Sequence, residues 1–461
     1  MARVSPRPAP NHLAWHLLAF FVVIVGSLWS LAEGWKRIAD PHVGPTRTWV
    51  DVVMFSEPGF AERCGSEESV VVTVVHDPQK EEWIKEGSED YMHACPNTQV
   101  RMIMRPDLRA INEIESGQLK PTLWAPSDQL FASNLEEHWQ LAHPDTPLEY
   151  GPSLLYSPLV VVLWTDRVEA LEQLGLHVSQ QDTLFADLLC AGVERVSPSM
   201  GSPRSNVPIQ WADWWRAAFT PPRQRPASPS LDELREWGRV EVEHMLPTRT
   251  SIGATTLILM AHDYLWSLAP YSIETPSEFD DALHALEEQI EGWLRRCEAG
   301  QEDFRGRPRV LAQHLLLLGG TRFDGVVITE NFALEMLATL DSTTTGPARA
   351  RVLYPRSTLI NSHPTVFFPG KSTEIEAAER FVQYLMRRSS QDRAISFGFR
   401  PGDQTLSIRD ARTKNNPFLG LRRYGVAMDL GVDVDIEQPP RPGRTSLRTL
   451  IESWSNATGR Y

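Results

Sequence analysis

The stretch that decides the fold is SVVVTVVHD, which runs from Ser69 to Asp77. It predicts a buried strand, because a short, valine-rich apolar run bounded by polar residues is typical of strands inside a sheet. A predicted helix (Lys80 to Ala94) and a second apolar strand (Thr98 to Arg105) follow it. This alternation of strands and amphipathic helices predicts an α/β layer structure with parallel strands.

The alternation resumes in the last third of the chain, after a long middle section. Leu154 to Thr165 (LLYSPLVVVLWT) is long and apolar, and it suggests a segment that passes from one lobe to a second. We therefore expect the chain to go out to a second lobe and come back. The other predicted strands are Pro121 to Pro126, Asp324 to Asn331, Arg351 to Pro355 and Thr365 to Phe368.

The N-terminus carries a membrane-targeting signal. Leu13 to Ala32 is almost continuously apolar and has about the 20 residues that a helix needs to cross a bilayer. Arg3 and Arg7 precede it without an acidic residue, which places the N-terminus inside and the bulk of the chain outside the cytoplasmic membrane. The alternative is a cleaved signal peptide, because Ser30 to Ala32 offers small residues where a peptidase would cut.

Composition and motifs exclude several function classes. The 461 residues carry a formal net charge of -14, which argues against a nucleic-acid surface. The sequence has no G-x-S-x-G, H-E-x-x-H, P-loop or dinucleotide fingerprint, so we expect no enzyme and no cofactor. His363 has no second ligand at zinc-like spacing, and we interpret it as a packed loop residue, with no metal site.

The four cysteines agree with export, and they leave two interpretations open. Pairing within each lobe would join Cys64 to Cys95 and Cys190 to Cys297. Four separate buried thiols are the alternative, because a free cysteine behaves as a small hydrophobic residue.

Between Ser197 and Ser230 the chain is rich in Pro, Ser and Trp, which predicts an irregular insertion. Its tryptophans would mark an interface if exposed and belong to the core if buried.

Several segments in order resemble bacterial extracellular solute-binding proteins of the type II periplasmic fold. The similarity is to the substrate-binding module that often precedes a von Willebrand A domain, a domain that we do not expect in this chain. The resemblance covers roughly Val70 to Trp454. The segments that carry it are Asp77 to Trp83, Glu115 to Asp128, Leu155 to Trp164, Leu246 to Leu265, Val326 to Asn331, Val352 to Pro364 and FGFRP (Phe397 to Pro401).

The resemblance implies two α/β lobes that close on a ligand around crossing segments. Lobe one would comprise 69–155 and 351–461, and lobe two would comprise 156–350, with the insertion at 197–230. The apolar segment and the charge bias add a cytoplasmic N-terminus (1–12), a transmembrane helix or signal anchor (13–32) and a linker (33–68).

The candidate ligand-binding residues lie at helix starts and on the predicted crossings. Free N–H groups in the first turn of a helix can hold a ligand, although the same hydroxyls can simply cap the helix. Arg400 has a structural alternative, because an arginine beside a chain crossing commonly bonds backbone carbonyls or a carboxylate. The candidates are Asp77, Ser127, Asp128, Tyr156, Ser157, Thr250, Ser251, Gly253, Glu330, Asn331, Tyr354 and Arg400.

Departures from the family pattern bear on the ligand. Asp77 and Ala125 stand where the family often has small hydroxyl residues, and Asp128 lies close to Ala125 in the sequence. Carboxylates disfavour an oxyanion, so the ligand is expected to be neutral or cationic, unless binding has been lost.

The sequence thus predicts a membrane-anchored solute-binding protein for transport or sensing, partnered by a small molecule and a membrane transporter. The alternative is a non-binding module that docks in a membrane complex.

Overall fold

The valine-rich strand lies inside a five-stranded sheet in a computed structural model of the chain. The structure describes Cys64 and residues 68–176, 184–191, 193, 209–219, 228–268, 273–299, 307–343 and 346–460. The predicted cytoplasmic N-terminus (1–12), the predicted anchor (13–32) and most of the predicted linker (33–68) lie outside these residues. Among the helices that are described, none combines the length and the apolar character that crossing a bilayer requires.

Strands and helices alternate along most of the described chain. The strands are β1 (Val70–His76), β2 (Thr98–Met104), β3 (Leu123–Ala125), β4 (Glu149–Gly151), β5 (Leu155–Trp164), β6 (Val242–Glu243), β7 (Gly325–Thr329), β8 (Ala350–Leu353), β9 (Ile360–Asn361), β10 (Thr365–Phe367) and β11 (Arg400–Pro401).

The helices of the first half are α1 (Glu81–Ala94), α2 (Asp107–Glu115), α3 (Gln129–Ala142), α4 (Thr165–Gln173), α5 (Leu184–Leu189), α6 (Trp211–Ala218) and α7 (Leu231–Trp237). Those of the second half are α8 (Ser251–Ser267), α9 (Pro276–Ala285), α10 (Glu287–Cys297), α11 (Pro308–Leu318), α12 (Glu330–Thr343), α13 (Ser372–Leu385), α14 (Arg388–Ser396), α15 (Pro417–Gly420) and α16 (Arg444–Thr458).

The first sheet has the strand order β2-β1-β3-β10-β4. β1 pairs in parallel with β2 and β3, whereas the returning strand β10 is antiparallel to β3 and β4. The carboxyl ends of β1, β2 and β3 therefore meet at one edge of this sheet. The predicted mixed α/β fold with parallel strands is confirmed.

The second sheet is built around β5, the predicted crossing segment. β5 pairs with β7, β8, β9 and β11, all antiparallel, and β6 joins β7 in parallel. Almost every residue of β5 is buried, which explains its continuous apolar sequence.

Residues 351–461, which the sequence assigns to the second part of lobe one, also contact the second sheet and its helices. Arg351 lies in β8, which pairs with β5. The last helix, α16, packs against α8, α9 and α10, and the indole Nε1 of Trp454 donates to Glu298 Oε1 at 3.0 Å. At its other end, Arg444 bonds both carboxylate oxygens of Glu115 in α2. The C-terminal helix thus bridges the two halves of the fold.

The tryptophans of the predicted insertion form core. Trp211 and Trp215 are fully buried in α6, and the indole of Trp211 donates to Asp324 Oδ2 at 2.9 Å. The interpretation as an exposed aromatic interface is therefore wrong for these two residues. Most of the rest of the insertion (197–230) lies outside the described residues.

Two disulfides link residues that are far apart in the sequence. Cys64 is bonded to Cys95, and Cys190 is bonded to Cys297. Cys95 follows α1 beside the first sheet, whereas Cys297 ends α10 beside the second. This is the pairing within each lobe that the sequence offered as one of two interpretations.

Candidate functional site

Two paired strands connect the two halves: β5 is the first crossing, and β9 with the residues around it is the second. They bring together the first candidate residues. Ser157 of β5 lies opposite Asn361 of β9, so their side chains share one face of the paired strands. On that face the hydroxyl of Ser157 donates to Asn331 Oδ1 at 3.1 Å, and the Asn331 backbone N–H donates to Ser157 Oγ at 3.3 Å. All three residues are buried.

On the same face a second set of contacts joins the end of β1 to the start of α8. The Ser251 hydroxyl donates to Asp77 Oδ2 at 3.1 Å, and Gln79 Nε2 donates to Ser251 Oγ at 3.1 Å. Asn361 Nδ2 donates to Gln79 Oε1 at 3.4 Å, while Asn361 Oδ1 has no hydrogen-bond partner among the described residues. We call the connected set Asp77, Gln79, Ser157, Ser251, Asn331 and Asn361 the cleft cluster.

Beneath the cleft cluster lies a floor of buried charged groups at the carboxyl ends of β1, β2 and β3. The ammonium of Lys80 donates to the carbonyl oxygens of Ala125 and Pro126, at 2.9 Å each. Asp107 Oδ2 accepts from the backbone N–H of Ser127 at 3.0 Å and from its hydroxyl at 2.5 Å. Ser127 is therefore used to hold Asp107 rather than to cap a helix.

Burial shifts the ionisation of these groups toward their neutral forms. It raises the pKa of the Asp77 carboxyl, although nearby Lys80 opposes the shift. It raises the pKa of Asp107 well above its usual value, and the neighbouring charge of Asp77 adds to the effect. Burial also lowers the pKa of Lys80 to about 8, against the attraction of both carboxylates.

His363 completes the floor at the second crossing. It has a φ of 39°, a left-handed conformation that is uncommon for a residue other than glycine. Its ring is fully buried and packs edge-on against Phe399 at a centroid distance of 5.5 Å, and in the part of the chain that the structure describes neither ring nitrogen has a hydrogen-bond partner. Burial lowers the pKa of His363 well below its usual value, and the charge of Lys80 lowers it further. The imidazole is thus a neutral donor and acceptor.

Thr250 and Gly253, predicted beside Ser251, position α8 rather than point into the cluster. Thr250 caps the helix by accepting from the Gly253 N–H at 3.0 Å. A side chain at Gly253 would lie 2.5 Å from the backbone oxygens of Met245 and Leu246. Glycine is required here because the two backbones approach so closely.

Asp128 does not join the cleft cluster. Its Oδ1 accepts from the Leu130 N–H at 2.9 Å, which caps α3, and from Arg441 Nε at 2.8 Å. Its Oδ2 accepts from Arg441 Nη2 at 3.1 Å. Both carboxylate oxygens are therefore held by the fold.

Arg400, Glu330 and Tyr354 form a separate buried network beside β5. Arg400 donates through Nε and Nη2 to the two oxygens of Glu330, at 2.7 Å each, and to the carbonyls of Met428 and Ala427. The Tyr354 hydroxyl donates to Glu330 Oε1 at 2.5 Å. This network ties together the ends of β7 and β8 and the strand β11, so these three residues serve the structure of the crossing.

Tyr156 faces the opposite side of the crossing strands from Ser157, because neighbouring side chains alternate along a strand. It lies across from Arg400 of β11 and lines a cavity of about 670 Å³ on that reverse face. Asp77, Ser157, Ser251 and Asn331 are thus the predicted residues that the structure places in one connected cluster.

Sequence reasoning missed four residues of the cluster and its floor: Gln79, Lys80, Asp107 and Asn361. Asp107 could have been found, because it follows β2 as Asp77 follows β1 and Ser127 follows β3. Lys80 carried no such signal, since a lysine at a helix start is normally exposed. Among the described residues, no group of three or more His, Cys, Asp or Glu side chains is arranged to hold a metal ion.

The chain is similar to solved structures of substrate-binding proteins, whereas no protein-family model and no curated protein matches it. The substrate-binding protein of an ABC transporter from Agrobacterium tumefaciens is 12% identical, with a TM-score of 0.44 over 86% of this chain and 96% of that one. AfuA from Actinobacillus pleuropneumoniae, with fructose-6-phosphate bound, is 12% identical, with a TM-score of 0.47 over 86% and 100%. Iron-bound HitA from Pseudomonas aeruginosa is 11% identical, with a TM-score of 0.45 over 85% and 99%.

Proposed function

We propose that this chain is an extracytoplasmic solute-binding protein that captures a small ligand at the cleft cluster. The observation that carries the proposal is the convergence of buried polar side chains from both sheets on one face of the crossing. Asp77 and Gln79 come from the first sheet, Ser251 and Asn331 from the second half, and Ser157 and Asn361 from the crossing itself. Polar groups converging at the junction of two halves are typical of ligand sites.

Spare hydrogen-bonding capacity supports a polar ligand. Within the described ranges, Asn361 Oδ1 and both ring nitrogens of His363 are buried without hydrogen-bond partners. A buried polar atom without a partner costs about 1–3 kcal/mol, so a ligand that pairs with these atoms gains stabilisation from them.

The acceptor oxygens of Asp77 favour a neutral or cationic ligand over an oxyanion. Asp77 already presents its carboxylate to Ser251, the first residue of α8, whose N-terminus carries the positive end of the helix dipole. An oxyanion would meet this carboxylate at the place where anions otherwise bind a helix. A ligand with hydroxyl, amide or ammonium groups would instead donate to Asp77.

Capture would proceed by hinge opening and closing. The two halves contact each other through the hydrogen bonds of Ser251 with Asp77 and Gln79, through an ion pair at 2.7 Å between Arg309 of α11 and Glu82 of α1, and through Arg444 of α16, which bonds Glu115. A partly exposed ion pair contributes about 0–1 kcal/mol, so hinge opening around the crossing strands would break two weak ion pairs and the hydrogen bonds of Ser251.

Export is the remaining part of the proposal. The two disulfides are typical of proteins in oxidising compartments, which agrees with the predicted anchor and its charge bias. We place the bulk of the chain outside the cytoplasmic membrane, where it would deliver its ligand to a transporter or a sensor. We also propose that the chain is related to the substrate-binding module that precedes von Willebrand A domains.

A thermal-shift screen of the purified full-length chain tests this function. We expect neutral or cationic polar metabolites to raise the melting temperature by mass action, and anions such as sulfate to leave it unchanged. Ser251→Ala should weaken the shift caused by a hit. Ser342→Ala is the matched control, because that exposed hydroxyl donates only within its own helix. Stabilisation by oxyanions alone, or an equal response of both variants, would contradict the proposal.

A docking module is the second candidate, and one observation favours it. The cleft is closed by the protein's own groups, since Ser251 bonds Asp77 and Gln79 directly. A module of this kind would respond to no small solute and would co-purify with one membrane protein in stoichiometric amounts. That pair of results would replace the first proposal with this one.

A further inference from the structure

The reverse face of the crossing strands carries a feature that the proposed function does not use. A cavity of about 670 Å³ lies there, on the side of Tyr156, and is lined by both crossings. Ile360 and Ser362 of the second crossing line it, whereas Asn361 between them points to the cleft cluster. The cavity and the cleft cluster therefore lie on opposite faces of the same strands.

We propose that this cavity is a second binding site, for an uncharged polyhydroxy compound the size of a mono- or disaccharide. Its volume falls in the range of about 300–1,000 Å³ that is usual for small-molecule sites. Gln404 and Thr405 in its wall are exposed, so the cavity can be reached from solvent.

The charged side chains in the wall are already paired, and this favours an uncharged ligand. Arg400 is paired with both oxygens of Glu330, and Arg441 is paired with both oxygens of Asp128. Asp429 faces Arg409 at 3.5 Å. A charged ligand would lose its hydration and find every countercharge already engaged.

The remaining wall is suited to hydroxyl groups on an apolar frame. The Tyr156 hydroxyl and the Gln404 amide form no hydrogen bond within the described residues, and both can donate and accept. Ile360, Pro401 and Leu430 supply apolar surface next to them. A sugar presents the same combination, with hydroxyl groups around C–H faces.

Isothermal titration of the full-length chain with glucose and with maltose tests the inference, with glucosamine and glucuronate as charged comparators. We expect at least one uncharged sugar to bind and both charged sugars to bind more weakly. Gln404→Ala and Tyr156→Phe should each weaken binding by about three- to tenfold, the value of one hydrogen bond. Gln99→Ala, an exposed glutamine on β2, is the matched control and should leave the affinity unchanged.

Three results would overturn the inference. The first is an absence of binding for both uncharged sugars, and the second is tighter binding of a charged sugar. The third is an affinity that falls in Ser251→Ala and not in Gln404→Ala, which would place the sugar in the cleft cluster. That last result would support the proposed function while removing the second site, so the two proposals fail separately.

Discussion

Replacing Arg400 by methionine should be among the most destabilising single changes at the crossing. The substitution keeps much of the side-chain volume but removes the two donors to Glu330, which is fully buried. Glu330 would retain only the Tyr354 hydroxyl, and two backbone carbonyls would lose their donor. Leaving a buried charge uncompensated costs about 3–5 kcal/mol, so we expect a loss of about 4 kcal/mol in the free energy of unfolding.

Urea unfolding followed by tryptophan fluorescence measures this loss, from the shift of the midpoint at constant slope. Arg409→Met is the matched control, because Arg409 pairs with Asp429 on the surface at 3.5 Å and should cost about 0–1 kcal/mol. The double variant Glu330→Met/Arg400→Met should be more stable than Arg400→Met alone, because no charge stays buried. A loss below about 1 kcal/mol for Arg400→Met, or a double variant with the summed cost of both single changes, would refute the reasoning.

Three further predictions concern other parts of the fold. Cys190→Ala/Cys297→Ala removes a disulfide that closes a loop with a sequence separation of 107, and the lost loop-closure entropy should lower the free energy of unfolding by about 4.8 kcal/mol. Urea unfolding measures this loss, and an unchanged midpoint would contradict the disulfide. Burial raises the pKa of Glu243 to about 7 from 4.5. The stability of the wild type relative to Glu243→Gln should therefore fall by up to about 3 kcal/mol as the pH rises from 4.5 to about 7. A difference in stability that does not change with pH would show that Glu243 is not buried. Gly253→Ala should lower the melting temperature through overpacking worth about 1–3 kcal/mol. Gly292→Ala should raise it slightly, because the added methyl group would meet only the Arg296 side chain at 3.8 Å; equal effects would exclude the close approach at α8.

The sequence was most informative where local pattern and long-range packing agree. The valine run of β1 and the apolar segment of β5 could be predicted because full burial leaves a continuous hydrophobic signature. The end of α7 is set by backbone conformation: the helix stops at Trp237 because Gly238 has a φ of 75°, which suits a glycine, and β6 follows.

The site was harder to predict, because its members are partners over long distances in the chain. Asp128 meets Arg441 across 313 positions, and nothing local distinguishes that ion pair from a simple helix cap. Tyr156 and Ser157 point to opposite faces because side chains alternate along a strand, but tertiary packing decides which of the two faces carries the cleft cluster.

A crystal structure of the full-length chain with a hit from the thermal-shift screen tests the central claim most directly. We predict density for the ligand between Asp77 and Ser251, within hydrogen-bonding distance of Asn361 Oδ1, with the direct bond from Ser251 to Asp77 replaced by bonds to the ligand. A structure in which that direct bond persists and the compound lies outside the cleft cluster would contradict solute capture at this site.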